Sequence, residues 1–326
     1  MREIENGELK SASLSQLKEL CGELREEILA TVSRCGGHLS SNLGAVELTV
    51  ALHRVFDFPR DKIVFDVGHQ CYAHKLLSGR AGAFGTLRQE GGLSGFPKRS
   101  ESEYDCYGTG HAGTAISAAL GFAKARDLKG EKGAVIALVG DGSFNNGLIY
   151  EALNSLKILN TRILIVLNDN GMSISETVGS MAAVLKEMRE GVEDAGAVEG
   201  SPNAARRDGG ETAIPEEDVR LFEHFGLTYM GVVNGHDMGE LLASLERAKH
   251  ALEKGSVLLH VHTRKGYGHA FAERAPTETH GVGAGGGAEY SRALGEELTA
   301  LAKTDSRIVA VTAAMTDSLG LRGFFE

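Results

Sequence analysis

Two short polar clusters carry residue types that could do chemistry, Gly140-Asp141-Gly142-Ser143 and Asn168-Asp169-Asn170. Each follows directly on an apolar run rich in β-branched residues, 134–139 (AVIALV) and 163–167 (ILIVL). The segment between them has helical spacing, so the stretch 134–175 predicts strand, turn, helix, strand and turn. A βαβ unit releases both clusters at the same end of neighbouring parallel strands, the edge at which open α/β sheets bind ligands. There the oxygens of Asp141 and Asn170 come side by side, a hard-donor set suited to Mg²⁺ holding a diphosphate.

The same pattern recurs elsewhere. A predicted strand at 62–67 (KIVFDV) runs straight into Gly68-His69-Gln70, and the apolar strand 257–261 runs into HTRKGYGH, which ends on His269. His38 is displayed in a turn of small residues (35–42) between two predicted helices, 13–34 and 43–56. Gly108-Thr109-Gly110-His111-Ala112-Gly113 is formally a GxGxxG, but no strand precedes it and no acidic residue ends a following strand at the distance a dinucleotide fold needs. Its glycines instead let the backbone at His111, Ala112 and Gly113 approach a phosphate or an aromatic ring closely.

These turns need a scaffold. The first helix has Ser13 and Gln16 at capping-box spacing, with Leu14, Leu17, Leu20, Cys21, Leu24 and Ile28 on one face. The polar loop 86–105 is expected to cross the surface. Residues 177–215 lose periodicity and are expected to form a mobile insertion, either a covering loop or a spacer. A second βαβ unit follows, with a helix at 216–225, a strand at 228–232, the turn Asn234-Gly235-His236-Asp237, a helix at 239–254 and the strand 257–261. The expected fold is α/β, a doubly wound, mostly parallel sheet over 1–276. A Gly-rich linker (277–288) leads to the start of a second α/β domain (289–326), with a helix at 289–303 and a strand at 307–312.

Composition bounds the partners. The 326 residues carry 34 basic and 44 acidic side chains, a net charge of −10, with no basic run or aromatic-interleaved basic stripe, which argues against nucleic acid. An anionic ligand therefore needs local help from a cation or backbone N–H groups. The four cysteines, Cys21, Cys35, Cys71 and Cys106, have no metal-ligand spacing and read as free thiols in a reducing compartment, the cytoplasm by default. No signal peptide and no apolar run of about 18 residues is present, so no membrane span is expected.

GDG followed by NDN resembles the metal-diphosphate motif of thiamine diphosphate enzymes. The flanks GGHLSSNLG, FDVGHQCYAHKLLSGR, TLRQEGGLSGFPKRSESEYD, YGTGHAGTAISAALG, VNGHD and HGVG resemble the 1-deoxy-D-xylulose-5-phosphate synthase family more closely still. The likeness covers nearly the whole chain outside 177–215 and about the first half of that family's usual length. It implies that Asp141, Asn170 and the carbonyl of Met172 bind Mg²⁺, with Gly142, Ser143 and Asn170 around the diphosphate. It further implies that His69, the turn His111-Ala112-Gly113 and His269 (the aromatic position of the family's KGxGY) line thiamine diphosphate, and that His38 faces the reacting carbon. The implied reaction joins pyruvate, after loss of CO₂, to glyceraldehyde 3-phosphate, a step toward isoprenoids and thiamine.

The chain departs from the family's pattern at His111-Ala112-Gly113-Thr114, where GHSST is usual, and at Ser143, Asn145 and Asn146, a turn closer to transketolase. In the family the glutamate that activates the cofactor lies in a second domain, of which only the opening helix and strand are expected here. This chain alone is thus expected to bind cofactor weakly and turn over little, and to act as a homodimer or with a chain carrying the missing domains. A transketolase-like subunit and a truncated, non-catalytic cofactor-binding protein are the alternatives.

Overall fold

A computed structural model describes residues 3–4, 6–194, 216–283, 289–312 and 315–325. Five strands form one sheet in the order β1-β2-β3-β5-β4, all parallel: β1 (Lys62–Phe65), β2 (Val135–Gly140), β3 (Leu164–Asp169), β4 (Leu227–Asn234) and β5 (Ser256–His262). The expected doubly wound α/β architecture is thus present. The central strands are continuous apolar runs because both faces are covered. Alternate side chains serve two cores. Ile136, Leu138, Leu164 and Val166 pack with α1 (Leu14–Cys35), α2 (Val46–Val55) and, from further along the chain, the helix Met238–Ala251. Val135, Ala137, Val139, Ile165 and Leu167 pack on the opposite face with the helices Ala115–Lys129, Gly147–Leu159, Ser180–Asp194 and Glu216–His224.

Local signals account for much of this. Ser13 and Gln16 make the reciprocal capping box that starts α1, and Leu17, Cys21, Leu24 and Ile28 form its buried stripe, while Leu14 stays 44% exposed. Two expectations change. Residues 180–194, inside the stretch expected to lack structure, form a helix that buries Leu185 and Met188; residues 195–215 lie outside the described set. Two large apolar side chains three apart suffice to seat a helix on a sheet, and the surrounding Gly, Ala and Glu obscured them. The apolar run 307–312 is not a strand: among the described residues it has no pairing partner, and Val309 and Val311 are 80% and 98% exposed. β-branched residues make a strand only against a neighbour.

The loop 86–105 is exposed over 88–91 and 98–100, as expected of a surface crossing, and it turns two of its acidic residues, Glu101 and Asp105, inward. Arg80 donates to both oxygens of Asp105 (2.6 and 2.9 Å), His74 Nε2 lies 3.1 Å from Asp105 Oδ1, and Lys75 Nζ reaches Glu101 at 2.6 Å. His53 Nε2 lies 2.8 Å from His74 Nδ1; with His74 Nε2 donating to the carboxylate, a neutral His74 accepts from His53. Burial would raise the Asp105 carboxyl, but the hydrogen bonds from His74 and Arg80 hold it well below the usual carboxylate range. This clamp sets Phe96 edge-on to His38 (5.8 Å between centroids) and Pro97 against Gly68, so it forms one wall of the site. Removing one partner of a buried ion pair costs about 3–5 kcal/mol. Asp105→Ala should lose about that much in urea unfolding; a loss under about 1 kcal/mol would show that the cluster does not hold the loop.

Candidate functional site

The strand ends and the turn after α1 converge on one cleft. At β1, Gly68 N–H bonds Asp66 O at 2.6 Å around Val67, which adopts φ 56°, an uncommon conformation for a β-branched residue. Gly68 is required here: a Cβ would stand 2.5 Å from Pro97 Cδ and 2.6 Å from Thr109 Cγ2. The tight turn frees the buried Asp66 carboxylate to accept from Gly113 and Ala115 N–H (2.9 and 3.0 Å), which fixes the 111–115 turn at the start of its helix. Buried Asn42 joins the two histidine turns. Its Nδ2 donates to His38 O and His69 O, both at 2.6 Å, and its Oδ1 accepts from Tyr72 N at 2.9 Å.

Three imidazoles then stand in a triangle, with centroid separations of 5.4 Å (His38–His69), 5.2 Å (His38–His280) and 5.5 Å (His69–His280). His280 belongs to the segment expected to be a linker. Residues 277–283 instead dock on the site, where Gly37 and Val282 exchange backbone hydrogen bonds of 2.8 and 2.7 Å; residues 284–288 lie outside the described set. Burial, with the charges of Arg88 and Lys265, pushes His38 down to about 4. Burial with Lys265 and His38 pushes His280 down to about 3, and burial holds His69 well below the ordinary histidine range. All three are neutral at pH 7, able to donate and accept hydrogen bonds without carrying charge.

Asp141 and Asn170 meet as expected across β2 and β3, where Gly140 and Asn168 are in register. Asn170 N–H donates to Asp141 Oδ1 (3.3 Å) and Thr177 Oγ1 to Oδ2 (2.6 Å). Burial and the neighbouring Asp169 charge push Asp141 up to about 6. Asp169 itself is compensated: Arg189 bonds both its oxygens at 2.5 Å and His260 Nε2 lies 2.8 Å away. Among the described residues Asp141 has no cationic hydrogen-bond partner, which is the state of a carboxylate built to meet a cation. Among the described residues no three His, Cys, Asp or Glu side chains cluster as a metal cage. The donors on hand are one carboxylate, the Asn170 amide and the Met172 carbonyl, a partial oxygen set of the kind Mg²⁺ completes with phosphate oxygens and water.

The cleft, about 300 Å³, is lined by His38, His69, Ala112, Asp141, Gly142, Ser143, Asn170 and Met172, all anticipated from the sequence, and by Gln70, Lys265 and His280, which were not assigned a role. On the far side of Asp141, Asn170 and Met172 lies a second cavity of about 850 Å³, so these residues form a shared wall. Gly142 is part of a cradle: a Cβ there would meet Ser173 at 3.0 Å. Lys265 Nζ donates to Ser173 O at 2.5 Å, and burial pushes this ammonium down to about 8 despite the attraction of Asp141. His38 Nδ1, His69 Nδ1 and Gln70 Nε2 are buried with no partner among the described residues. Unpaired donors and acceptors, one cation and one uncompensated carboxylate around a concave space fit a metal-bound diphosphate carrying a polar ring system.

Three anticipated residues do not line the cleft. His111 is exposed, its carbonyl accepting from Thr114 Oγ1 (3.0 Å), while its neighbour Ala112, also exposed, borders the cleft. His269 is spent as the N-cap of the short helix Ala270–Arg274, where Nδ1 accepts from Ala272 N at 3.2 Å. Gly113 (φ 83°) shapes the turn, since a Cβ would strike Asn146 at 2.6 Å, but it does not line the cavity. Lys265 could have been found from its place just beyond a strand end. His280 opens the HGVG stretch that carries the family resemblance, but its Gly-rich neighbourhood reads as a connector and gave it no role. The four cysteines are free, as expected, and no helix among the described residues is long and apolar enough to cross a membrane.

Comparison with known proteins follows this geometry. The family model described as 1-deoxy-D-xylulose-5-phosphate synthase matches residues 2–263. The synthase of Desulforudis audaxviator is 47% identical over 347 residues, covering 97% of this chain and 54% of the relative. Synthase 1 of Geobacter metallireducens is 45% identical over 350 residues, covering 97% and 55%. The chain thus spans about half the length of the curated relatives it matches. Among solved structures, transketolase from Campylobacter jejuni superposes with a TM-score of 0.64 at 20% identity, over 96% of this chain and 46% of that one. Transketolase from Leishmania mexicana gives 0.59 at 18% identity, over 96% and 45%. At such identities the likeness concerns the fold.

The neutrality of the imidazoles is directly measurable. An NMR titration of the ligand-free chain should find His38 and His280 changing protonation near pH 4 and 3; midpoints near 6.5 would show that the triangle is open to water.

Proposed function

The chain belongs to the 1-deoxy-D-xylulose-5-phosphate synthase family, and from that membership we propose that it holds thiamine diphosphate through Mg²⁺ at the carboxyl edge of its sheet. One observation carries the reading: Asp141 is buried without a cation beside Asn170 and the Met172 carbonyl, at the mouth of a cleft lined by Lys265 and three neutral histidines. Asp141, Asn170 and the Met172 carbonyl would ligate the metal. Gly142, Ser143 and Lys265 would meet the diphosphate, whose charge the protein's net −10 does not attract globally. When bound, thiamine diphosphate supplies an electron sink for carbon–carbon bond chemistry at a carbonyl. The chain's own part is to orient and desolvate. His38, His69 and His280 would offer uncharged hydrogen bonds to a reacting oxygen, with Val67 in the cleft lining and Phe96 packed edge-on behind His38.

The relatives' name supports pyruvate and glyceraldehyde 3-phosphate as the substrates of the whole protein. A homodimer, or a complex with a chain carrying the rest of the relatives' length, and a cytoplasmic setting belong to the same reading. No glutamate among the described residues lines the cleft, so these 326 residues alone are expected to hold cofactor and turn over little. The transketolase-like alternative draws on the turn with Ser143, Asn145 and Asn146. Asn146 is the N-cap of the helix Gly147–Leu159 and ties to Ala112 O, a local structural role.

Ligand-linked stability tests the assignment. Thiamine diphosphate should raise the melting temperature only with Mg²⁺ present, by about 2–4 °C for each kcal/mol of binding. The rise should vanish in Asp141→Ala; equal stabilisation of the variant would remove Asp141 from the metal site.

A further inference from the structure

The turn Asn234-Gly235-His236-Asp237 was conspicuous in the sequence and has no part in the site described so far, yet two of its residues, Gly235 and His236, bond the strand end that leads to Lys265. Asn234 Oδ1 accepts from His236 N (3.0 Å), and Asp237 caps the helix Met238–Ala251 by accepting from Glu240 N (2.9 Å). Gly235 N–H bonds His262 O at 2.7 Å, so close that a Cβ on Gly235 would sit 2.4 Å from Thr263 Cγ2. This approach delivers His236 to the backbone of the next residues: its Nε2 accepts from Arg264 N–H at 2.7 Å.

That hydrogen bond assigns the tautomer. With Nε2 accepting, the ring proton is on Nδ1, which lies 3.4 Å from Glu47 Oε2. Glu47 is almost wholly buried on α2 and is held in turn by Arg25, which also donates from Nε to Tyr267 O (3.1 Å). The Tyr267 ring stacks on His236 (3.6 Å, 14°) with the Arg25 guanidinium 5.1 Å from its centroid. The charge-backed imidazole therefore holds the main chain at Arg264 and Arg25 holds it at Tyr267, one on each side of Lys265, while Gly266 N–H anchors the loop to Ser40 O at 2.8 Å. Lys265 alone in this loop projects into the cleft, with its ammonium on Ser173 O.

We propose that His236, backed by Glu47 and Arg25, is a positioning residue that fixes the Arg264 backbone so that the Lys265 ammonium stands at the diphosphate end of the bound cofactor. The inference rests on the functional reading above, which places Lys265 at the diphosphate. A partner that orients a ligating group, without touching the ligand, commonly contributes about 10–100-fold to affinity.

Binding of thiamine diphosphate with Mg²⁺, measured by calorimetry on the 326-residue chain, tests it with four variants. Lys265→Ala should weaken binding about tenfold or more. His236→Phe keeps the ring stack on Tyr267 but removes the acceptor, and should weaken binding about tenfold, whereas His236→Gln keeps an acceptor at the ε position without the stack and should stay within about threefold of the parent. The double variant His236→Phe/Lys265→Ala should bind no worse than Lys265→Ala within about twofold, because His236 acts through the lysine. Additive losses, or a Gln variant as weak as the Phe variant, would overturn the proposal. If His236→Phe does not give the parent's melting transition, His236→Gln decides: retained affinity supports the acceptor role and lost affinity overturns it. Unchanged affinity in Lys265→Ala would instead refute the functional reading of Lys265, and the inference with it.

Discussion

The arrangement turns on two adjacent carboxylates at the carboxyl edge of the sheet. Asp141 and Asp169 are both buried, and burying an isolated charge costs several kcal/mol unless it is paired. The protein solves this for only one of them. Asp169 receives Arg189 from one side and His260 from the other, with Tyr229 behind the imidazole at 2.9 Å. Asp141 receives neutral donors only, from Asn170 and Thr177. The asymmetry leaves one uncompensated negative charge beside an amide and a carbonyl, and a divalent cation is the partner that would relieve it.

Everything around that charge is held by polar ties between chain segments distant in sequence. Asn42 joins the His38 and His69 turns, Asp66 pins the Ala112 turn, and the Asp105 cluster presses the Phe96 wall inward. The Arg189–Asp169 pair draws the helix Ser180–Asp194 against the metal loop, so a segment without an obvious sequence pattern becomes part of the site's support. Glycine appears where backbones must touch, at Gly68 and Gly235 above all. Catalytic geometry depends on such outer contacts as much as on the residues that meet the ligand.

Much of this was legible in the sequence because it follows from periodicity. Continuous apolar runs followed directly by polar turns located the five strands and set His69, Asp141, Gly142, Ser143 and Asn170 at their ends, the Ser13–Gln16 capping box located the first helix, and the family resemblance added His38, Ala112 and Met172. What escaped depends on long-range encounters. His280 sits in a Gly-rich stretch whose docking on Gly37 needs the finished fold, and Asn42 and Asp66 act through backbone groups that no local pattern announces. His111 and His269 misled for the opposite reason: their motif positions are right, but one faces outward and the other is used as a helix cap. Residues 307–312 have strand composition without a strand to pair with.

The claim that Asp141, Asn170 and Met172 form the oxygen face of a Mg²⁺–diphosphate site is tested most directly by a crystal structure of the chain grown with Mg²⁺ and thiamine diphosphate. The account predicts a six-coordinate metal with ligands at about 2.0–2.1 Å, among them an Asp141 carboxylate oxygen, Asn170 Oδ1, the Met172 carbonyl and phosphate oxygens, with Lys265 Nζ on the diphosphate. A diphosphate bound elsewhere, or a metal that leaves Asp141 bonded only to Thr177 and Asn170, would contradict it.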